Sequence, residues 1–594
     1  MKVFRKSLKL LLSILPERVQ KKIKNIYNER IRRSGDPLIV HLKKYSYKCS
    51  MKENVAKEVI NTFNYHPLIS VIVPVYNTDV KWLDKAVKSV EKQYYVKWEL
   101  CIADDHSDKQ ETIDYLKGLK GNKKIKVVRL EENSNISEAS NAALQLCSGD
   151  YVALLDHDDE LTPDALFEVV KAINENGAEF LYSDEDKLTL EGKYENPHYK
   201  PDYSPDHLLS QNYICHLAVI KRSLVSELGG FRKGYEGAQD YDLFLRVAEC
   251  AEKIHHIPKI LYHWRMIPGS TASEFSEKSY AHDAGKLALE SAMKRRRVKG
   301  EVHNGVFAGT YRIKRAIEGN PLVSIIIPFK DNPFLLKKCL DSILDKSTYS
   351  NYEVLGVSNN SVEEETFELM KAYEAKDKRI KFVEYNQEFN YSAINNFASG
   401  ISKGDHLILL NNDIEIISAD WVESLLEHSQ RIDVGVVGGL LYYPDDTIQH
   451  AGVIIGIGGV AGHSHKLYRR GHHGYFSRIY LVQNLSAVTG ACMMVKKSLY
   501  KEVGGLNEEL KVAFNDVDFC LRLQEKGCLN VYTPYCEAYH HESISRGYED
   551  TPEKIKRHNF EINLFQKLHS RILKNGDPFY NKNLSLEYED FSLK

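Results

Sequence analysis

SGDYVALLDHDDEL, residues 148–161, joins a strand-like run to an acidic turn. Residues 151–155 (YVALL) are apolar without alternation, and residues 156–159 (DHDD) follow them directly. A short run of this kind is typical of a strand that is buried on both faces, as in a parallel sheet. Carboxylates at the carboxyl end of such a strand lie where open α/β sheets bind their ligands.

KGDHLILLNNDIEI, residues 403–416, repeats this pattern 255 residues later. The repeat places Asp413 in the register of Asp158, and it has Asn411 where the first copy has Asp156. An asparagine side chain still accepts a hydrogen bond, but it carries no charge. The second turn therefore repeats the first with fewer carboxylates.

Two further pairs of strand-like runs show that the repeat extends along the chain. LISVIVPV at residues 68–75 matches LVSIIIPF at residues 322–329, and WELCIA at residues 98–103 matches YEVLGV at residues 352–357. Helix-like stretches separate these runs, which is typical of a parallel α/β sheet. The long period indicates a tandem duplication of a whole domain rather than a solenoid.

These signals also predict how the chain is divided. We expect a basic helical N-terminal segment at residues 1–66, a first domain at 67–310, a second domain at 321–560 and a C-terminal tail at 561–594. The sequence Gly-Asn-Pro that ends at Pro321 stops any helix before the second domain begins.

The composition is that of a globular protein, with 43% hydrophobic and 27% charged residues. The net charge is -2 and neither half is strongly basic, which argues against nucleic-acid binding. Ten cysteines without a regular spacing indicate small buried side chains in a reducing compartment. We therefore expect a cytoplasmic protein.

The basic N-terminal segment allows two interpretations. Its longest apolar stretch, residues 8–15, is too short to span a bilayer and lacks a signal cleavage site. A basic amphipathic helix can lie on an anionic membrane surface, which would place the chain peripherally at the inner face of the cell membrane. The alternative is a solvated helix that packs on the rest of the protein.

The acidic turns are candidate metal sites. Hard cations such as Mg²⁺ or Mn²⁺ take oxygen ligands and commonly share them with a diphosphate. The alternative is that residues 156–159 cap the helix after Thr162 and Pro163, because carboxylates are favoured at helix starts. The second copy of the turn favours the metal site.

A polar residue also follows the second strand of each repeat. Asp105 follows WELCIA, and Asn359 takes the same position after YEVLGV. A carboxylate at this point could accept the imide N–H of a uracil or thymine base. The alternative is turn chemistry, because Asp, Asn and Ser favour turns.

An aspartate begins an amphipathic helix late in each repeat, Asp240 in the first and Asp516 in the second. Each can cap its helix, or it can act as a general base that takes a proton from an acceptor hydroxyl. His263 and His540 follow 23 and 24 residues later. We expect these histidines to complete a metal shell or to contact a diphosphate, and a structural role is the alternative.

Taken in this order, the motifs resemble those of the family 2 glycosyltransferases of the GT-A fold. The passages that carry the resemblance include SVIVPVYN, IADDHSD, LLDHDDEL and GAQDYDLFLR in the first half, and SIIIPFKDN, LLNNDIEI, NDVDFCLR and YHHESISRG in the second. The resemblance covers residues 67–280 and 321–550. It implies two tandem GT-A domains, which are Rossmann-like α/β domains that bind nucleotide-diphospho-sugars.

The resemblance also implies roles for individual residues. The catalytic bases of an inverting reaction would be Asp240 and Asp516. The nucleotide sugar would be bound in the first half by Pro74, Tyr76, Asn77, Asp105 and Asp156, and in the second half by Pro328, Asn359 and Asn411. The metal ion, Mn²⁺ or Mg²⁺, would be bound by Asp158 and His263 in the first half and by Asp413 and His540 in the second.

The function implied by this resemblance is an inverting, bifunctional glycosyltransferase. It would transfer sugars from UDP- or dTDP-sugars to a growing cell-surface glycan on a lipid carrier, as in O-antigen or capsule assembly. A protein acceptor such as a surface adhesin is one alternative, and a second half that serves only as a carbohydrate-binding scaffold is another. A sugar nucleotidyltransferase would need a Gly-rich basic loop after the first strand, where this chain has VYNT at residues 75–78.

Overall fold

The computed structural model describes residues 45–49, 51–267, 279–541 and 551–594. Most of the predicted N-terminal segment, together with its expected membrane contact, lies outside the described residues. Helix α1 (Glu53–Ile60) belongs to the part of that segment that is described. Within the described ranges, no helix is long and apolar enough to cross a membrane.

The first half folds around a mixed sheet of nine strands. The strands are β1 (Ile69–Val75), β2 (Trp98–Asp104), β3 (Ile125–Arg129), β4 (Tyr151–Leu154), β5 (Glu160–Leu161), β6 (Phe180–Leu188), β7 (Tyr194–His198), β8 (Ala218–Lys221) and β9 (Ile254–Arg265). Their order is β3-β2-β1-β4-β8-β6-β9-β5, and β7 pairs with β6. Strands β3, β2, β1 and β4 run parallel to one another, and β8 is antiparallel to both β4 and β6.

Helices cover both faces of this sheet. They are α2 (Val80–Glu91), α3 (Gln110–Leu119), α4 (Asn135–Gln145), α5 (Ala165–Asn176), α6 (Pro205–Leu208), α7 (Arg222–Glu227), α8 (Gln239–Val247) and α9 (Ser279–Arg295). Successive residues of β1 enter different buried clusters, Val71 and Val73 on one face and Ile72 on the other. The unbroken apolar run of β1 is therefore explained by burial on both faces.

A two-stranded hairpin, β10 (Gly300–Asn304) and β11 (Tyr311–Arg315), connects the first half to a second mixed sheet of ten strands. The strands of the second half are β12 (Val323–Phe329), β13 (Tyr352–Ser358), β14 (Ile380–Glu384), β15 (His406–Leu410), β16 (Ile414–Ile416), β17 (Val434–Tyr442), β18 (Ile448–His450), β19 (Val453–Ile455), β20 (Ala461–His463), β21 (Gln483–Leu485), β22 (Cys492–Lys496) and β23 (Leu529–His540).

The helices of the second half are α10 (Pro333–Lys346), α11 (Glu364–Lys376), α12 (Tyr391–Ile401), α13 (Trp421–Ser429), α14 (Lys497–Glu502), α15 (Asn515–Glu525), α16 (Pro552–Leu568) and α17 (Ser570–Asn575). The order of the second sheet is β14-β13-β12-β15-β22-β17-β23-β16, which repeats the first sheet strand for strand. The duplicated α/β fold expected from the repeat is therefore confirmed.

The structure refines where the halves are divided. The boundary predicted at residue 310 falls between the paired strands β10 and β11, and the boundary predicted at residue 560 falls inside α16. Because hydrogen-bonded strands and a continuous helix belong to one unit, we propose that the first domain extends to Arg315 and the second to the end of α16.

A glycine fixes the strand that precedes the acidic turn. Ser70 Oγ donates to Glu99 Oε1 over 2.7 Å, and it accepts from the backbone N–H of Gly149 over 2.9 Å. A Cβ on Gly149 would lie 2.5 Å from the carbonyl oxygen of Leu68, so the approach requires glycine. The second half repeats this arrangement with Ser324, Glu353 and Gly404.

The two halves share a polar contact around Asp206, whose side chain is buried. Arg431 Nη1 donates to Asp206 Oδ1 over 2.6 Å, and Asn484 Nδ2 donates to Oδ2 over 2.7 Å. Burial opposes the ionisation of Asp206, but the charges of Arg431 and Arg315 outweigh it and hold the pKa of this carboxyl below its usual range. The contact therefore joins residues of the first half, the hairpin and the second half.

Residues 577–594 pack against both halves. Asp577 accepts hydrogen bonds from the backbone N–H of Ile455 over 2.8 Å and from Ser486 Oγ over 2.7 Å. Asn581 Nδ2 lies 3.0 Å from both carboxylate oxygens of Asp184, which is buried in the first half. The predicted C-terminal tail is thus a structural part of the junction between the halves.

Candidate active site

A cavity of about 1180 Å³ opens at the carboxyl ends of β1, β2 and β4. Its lining comes from the acidic turn, the starts of α8 and α9, and the loop between β10 and β11. Seven of the eight site residues predicted in the first half line this cavity: Pro74, Tyr76, Asn77, Asp105, Asp156, Asp158 and Asp240. The eighth, His263, lies elsewhere.

Three candidate metal ligands lie together at the acidic turn. One carboxylate oxygen each of Asp156 and Asp159 and one ring nitrogen of His216 lie within 4.8 Å of one another. Asp158 adds a further carboxylate to the wall of the cavity. Carboxylates are the ligands that Mg²⁺ and Mn²⁺ prefer, so this arrangement can hold a divalent cation.

Asp159 is fixed at the base of the acidic turn. Its carboxylate accepts hydrogen bonds from the Tyr262 hydroxyl over 2.6 Å and from the backbone N–H of Arg265 over 2.7 Å. Burial and the nearby charges of Asp158 and Asp156 raise the pKa of the Asp159 carboxyl. A cation among these carboxylates would relieve their mutual repulsion.

His216 belongs to the site, although no sequence motif indicated it. The residue precedes β8, and its Nε2 lies 3.6 Å from Asp156 Oδ2. Its ring stacks on Tyr262, with 4.5 Å between the ring centroids. Burial lowers the pKa of the imidazole to about 4, so the ring is neutral at physiological pH, as a metal ligand must be.

The structure does not place His263 in the cavity. His263 Nδ1 lies 2.6 Å from Asp186 Oδ1, and both side chains are buried. Its neighbours along β9, Tyr262 and Trp264, both contact the ring of His216. Because side chains alternate along a strand, His263 points to the opposite face of the sheet.

The strand register identifies the counterpart of His540. In the first sheet Glu160 of β5 pairs with His263. Its counterpart in the second sheet, Glu415 of β16, pairs with Tyr539. His540 is one residue further along and so corresponds to Trp264. The predicted equivalence of His263 and His540 is therefore wrong, because a shift of one residue moves a side chain to the other face of a strand.

Asp105 and Asn77 are held in fixed positions beside the cavity. Asp105 Oδ1 accepts a hydrogen bond from the backbone N–H of Ser134 over 2.7 Å. Asn77 Oδ1 accepts from the backbone N–H groups of Asp108 and Lys109 over 2.8 and 3.0 Å. Asn77 therefore shapes the loop after β2, and Asp105 has an oriented carboxylate at the wall of the cavity.

Asp240 is the second residue of α8 and lines the same cavity. Burial raises the pKa of its carboxyl, although backbone hydrogen bonds at the helix start and one from the Asn212 amide oppose this shift. A carboxylate with a raised pKa accepts a proton more readily, which suits a general base.

The second half gathers three of its predicted site residues at the second acidic turn. His540 Nε2 lies 3.2 Å from Asp413 Oδ1 and 3.4 Å from Asn411 Nδ2. Burial opposes the ionisation of Asp413, but its interaction with His540 outweighs this and lowers the pKa of the carboxyl. Pro328 lies in β12 at the position that Pro74 has in β1.

Backbone groups hold the remaining two predicted residues of the second half. Asn359 Nδ2 donates to the carbonyl oxygens of Tyr385 and Gln387 over 2.8 and 3.0 Å. Asp516 Oδ2 accepts from the backbone N–H of Gly490 over 2.8 Å. Burial raises the pKa of the Asp516 carboxyl, as it does for the equivalent aspartate of the first half.

Comparison with known proteins adds to this geometry. A family model described as glycosyl transferase family 2 matches residues 70–229 and 324–504, one match in each half. The chain is 47% identical to the uncharacterized protein y4gI of Sinorhizobium fredii over 542 residues, which are 90% of this chain and 60% of that protein.

A second relative is named for a pathway. The chain is 34% identical to the O-antigen biosynthesis protein RfbC of Myxococcus xanthus over 569 residues, which are 95% of this chain and 44% of that protein. The chain thus spans about half the length of these two relatives. A crystal structure of S. aureus TarS 1-349 with UDP-GlcNAc is 20% identical, has a TM-score of 0.32, and covers 38% of this chain and 66% of that one.

Proposed function

The chain belongs to glycosyl transferase family 2 and has two tandem GT-A domains, and we propose that its first site transfers a sugar from a nucleotide sugar to a glycan hydroxyl with inversion. The observation that carries this proposal is the single cavity lined by Asp105, Asp156, Asp158 and Asp240. The cavity brings together a candidate residue for recognising the nucleobase, a candidate metal site and a candidate general base.

In this proposal Asp240 takes the proton of the acceptor hydroxyl. The hydroxyl oxygen bonds to the anomeric carbon from the face opposite the diphosphate, while the bond between that carbon and the diphosphate oxygen breaks. The bonding electron pair leaves with the nucleoside diphosphate, and the configuration at the carbon inverts. The sugar forms no covalent bond to the chain, so Asp240 serves only as a base.

Asp105 and Tyr76 bind the nucleotide in this scheme, together with Pro74. The carboxylate of Asp105 accepts the imide N–H of the base, which favours UDP- and dTDP-sugars because uracil and thymine both carry that group. The hydrogen bond from Ser134 orients this carboxylate before the ligand arrives. Orientation in advance lowers the cost of ordering the site on binding.

Asp156, Asp159 and His216 would hold a divalent cation, with Asp158 as a further carboxylate. The fit rests on the donor set; burial, and after it repulsion from Asp158 and Asp156, raises the pKa of the Asp159 carboxyl, and a cation would offset that repulsion. When bound, Mn²⁺ or Mg²⁺ would offset the charge of the departing diphosphate. This ligand set replaces His263 with His216.

We further propose a second transfer site in the second half. Its support is Asp516, which has the helix-start position and the burial of Asp240. Asn359 presents an amide where Asp105 presents a carboxylate, so the second site would prefer a different donor. A scaffold role for the second half is the alternative, favoured by the smaller number of carboxylates at its acidic turn.

The acceptor that we propose is a growing cell-surface polysaccharide on a lipid carrier at the inner face of the cell membrane. Its support is the similarity to an O-antigen biosynthesis protein along nearly all of this chain. A protein acceptor is the alternative. A transfer assay in which lipid-linked glycan and protein are offered separately as acceptors distinguishes the two.

The test is a transfer assay with UDP-, dTDP- and GDP-sugars and the two single variants Asp240→Asn and Asp516→Asn. Loss of a general base costs about 100-fold or more in turnover, so each variant should abolish one linkage and leave the other. Asp108→Asn is the matched control, because Asp108 is exposed and does not line the cavity. If neither aspartate variant reduces turnover, the assignment of the bases is wrong.

A further inference from the structure

We propose that only the first site binds a divalent cation, and that the second site binds its nucleotide diphosphate without one. The inference rests on the proposed function, since it concerns how two sites of one reaction class hold the same diphosphate group. It is carried by a difference between the two acidic turns and the strands that face them.

The second turn lacks two of the candidate ligands. Asn411 stands where the first turn has Asp156, and Ile414 stands where it has Asp159. The pairing of β1 with β4 and of β12 with β15 follows the same register in both halves, so these positions are structurally equivalent. An amide and an isoleucine therefore replace two carboxylates.

The third candidate ligand is also missing. His216 lies five residues before Lys221 at the end of β8, and Ala491 lies five residues before Lys496 at the end of β22. The two lysines face equivalent residues of the neighbouring strand, which fixes the correspondence. A methyl group thus replaces the imidazole.

The replacement is accompanied by repacking of the neighbouring strand. In the first site the Tyr262 hydroxyl donates to Asp159 over 2.6 Å. The residue that corresponds to Tyr262 in β23 is Ala538, and it is buried in the same apolar cluster as Ile414. A polar pair at the base of the first turn has become an apolar pair in the second, so the position of Asp159 no longer offers a ligand atom to a cation.

The carboxylate that remains has its own counter-charge. Asp413 Oδ1 lies 3.2 Å from His540 Nε2, whereas the residue that corresponds to His540 in the first site is Trp264. Three carboxylates within four residues would repel a diphosphate unless a cation lay between them. The second turn has one carboxylate, and an imidazole already faces it.

His540 is the residue that we assign to the diphosphate in the second site. Its Nε2 contacts Asp413 and Asn411, while its Nδ1 has no hydrogen-bond partner among the described residues. Nδ1 is buried and unpartnered, so it is the nitrogen left to bind a phosphate oxygen while Nε2 keeps its contact with Asp413. A hydrogen bond from the imidazole would take the part that the cation has in the first site.

The test counts nucleotides bound per chain by equilibrium dialysis with UDP, dTDP and GDP, each in Mn²⁺ and in EDTA. We expect two nucleotides per chain in Mn²⁺ and one in EDTA. The bound nucleotide that resists EDTA should persist in Asp156→Ala and should be lost in His540→Ala. If EDTA removes all binding, the inference is overturned, whereas absence of binding even in Mn²⁺ would reject the proposed function itself.

A second measurement counts the metal directly by Mn²⁺ electron paramagnetic resonance. We expect one Mn²⁺ per chain, and its loss in His216→Ala. His263→Gln is the matched control, since that side chain lies on the opposite face of β9 and glutamine can still contact Asp186. Two ions per chain, or loss of the ion in Asp413→Ala, would contradict the inference without bearing on sugar transfer.

Discussion

Asn212 donates a hydrogen bond to Asp240 Oδ2 over 3.1 Å, and this bond favours the ionised carboxylate. Burial acts in the opposite direction and raises the pKa of Asp240. A general base works only in its ionised form. Activity at the first site should therefore fall as the pH falls through this raised pKa, which lies above the ordinary value of about 3.9.

Replacing Asn212 tests that assignment. In Asn212→Ala the hydrogen bond to the carboxylate is lost, so we expect the acidic limb of the kcat/KM profile to move to higher pH. The second activity is an internal control, because Asn212 contacts Asp240, whereas Asp516 accepts a hydrogen bond from the backbone N–H of Gly490. An acidic limb of the first activity that stays in place would mean that Asp240 is not the titrating base.

The motifs located seven residues of the cavity because those residues lie within short passages that begin or end an element. Asp105 directly follows β2, Asp156 comes two residues after β4, and Asp240 is the second residue of α8. His216 escaped because it lies in a loop without a motif, and its place beside Asp156 depends on the antiparallel pairing of β4 with β8. That pairing between distant segments is set by packing, which a single sequence does not display.

At the scale of the element, a close backbone approach explains why glycine precedes the strand of each acidic turn. A Cβ on Gly149 would lie 2.5 Å from Ser70 Oγ, and one on Gly404 would lie 2.6 Å from Ser324 Oγ. Each serine also binds the glycine N–H. The glycine thus allows β4 and β15 to begin close beside the first strand of its own sheet.

We expect Gly149→Ala and Gly404→Ala each to lower the free energy of unfolding by about 1–3 kcal/mol, because the added methyl group forces neighbouring backbone to move. Thermal unfolding monitored by calorimetry measures the change. Gly118→Ala is the control: Gly118 lies in α3, a Cβ there meets nothing within 4 Å, and alanine favours a helix by about 1 kcal/mol. Equal effects at all three glycines would refute the close-contact explanation.

The register of β9 and β23 shows where spacing along the sequence misleads. The distances of 23 and 24 residues from the helix aspartates to His263 and His540 suggest a shared role. Side chains alternate in a strand, so a difference of one residue separates His540, which faces Asp413, from His263, which faces Asp186. The correspondence of Trp264 with His540 is seen only from the pairing of β9 with β5 and of β23 with β16.

At the scale of the whole molecule, Asp206 joins the two halves. Its buried carboxylate is stabilised by Arg431 of the second half. Because its folded pKa is depressed, its contribution to stability is present above the unfolded pKa of about 3.9 and is lost as the pH falls below that value towards the folded pKa. Acid should therefore loosen the junction between the halves.

Arg431→Met should lower stability by about 3–5 kcal/mol, because it removes the nearest ion-pair partner of a buried carboxylate and leaves only Arg315, which lies 3.8 Å away. We expect the calorimetric transition of the chain to move to lower temperature, with a smaller further loss on acidification. The double variant Asp206→Asn, Arg431→Met should recover much of the loss, since the carboxylate at position 206 is then gone and Arg315 keeps Glu427 as a nearby carboxylate. A single variant as stable as the natural chain would show that the junction does not depend on this pair.

The α/β class and the duplication follow from the sequence because long apolar runs and repeated turns are local signals. The junction does not, since it depends on contacts between segments that are far apart in the chain. In the sequence, Asp206 has the pattern of an ordinary helix-start residue, and residues 577–594 have the composition of a polar and acidic tail. Their roles appear only when both halves are folded together.

The packing of residues 577–594 also orders events at the ribosome. Asn581 supplies hydrogen bonds to Asp184, which precedes it by 397 residues. Asn581 is translated after the whole second half, so until then Asp184 has only its partners in the first half, which include His256 and the backbone N–H of Lys200. Products of interrupted translation that stop before Asp577 would lack these contacts, and we expect their junction to be more open to proteases than that of the longer chain.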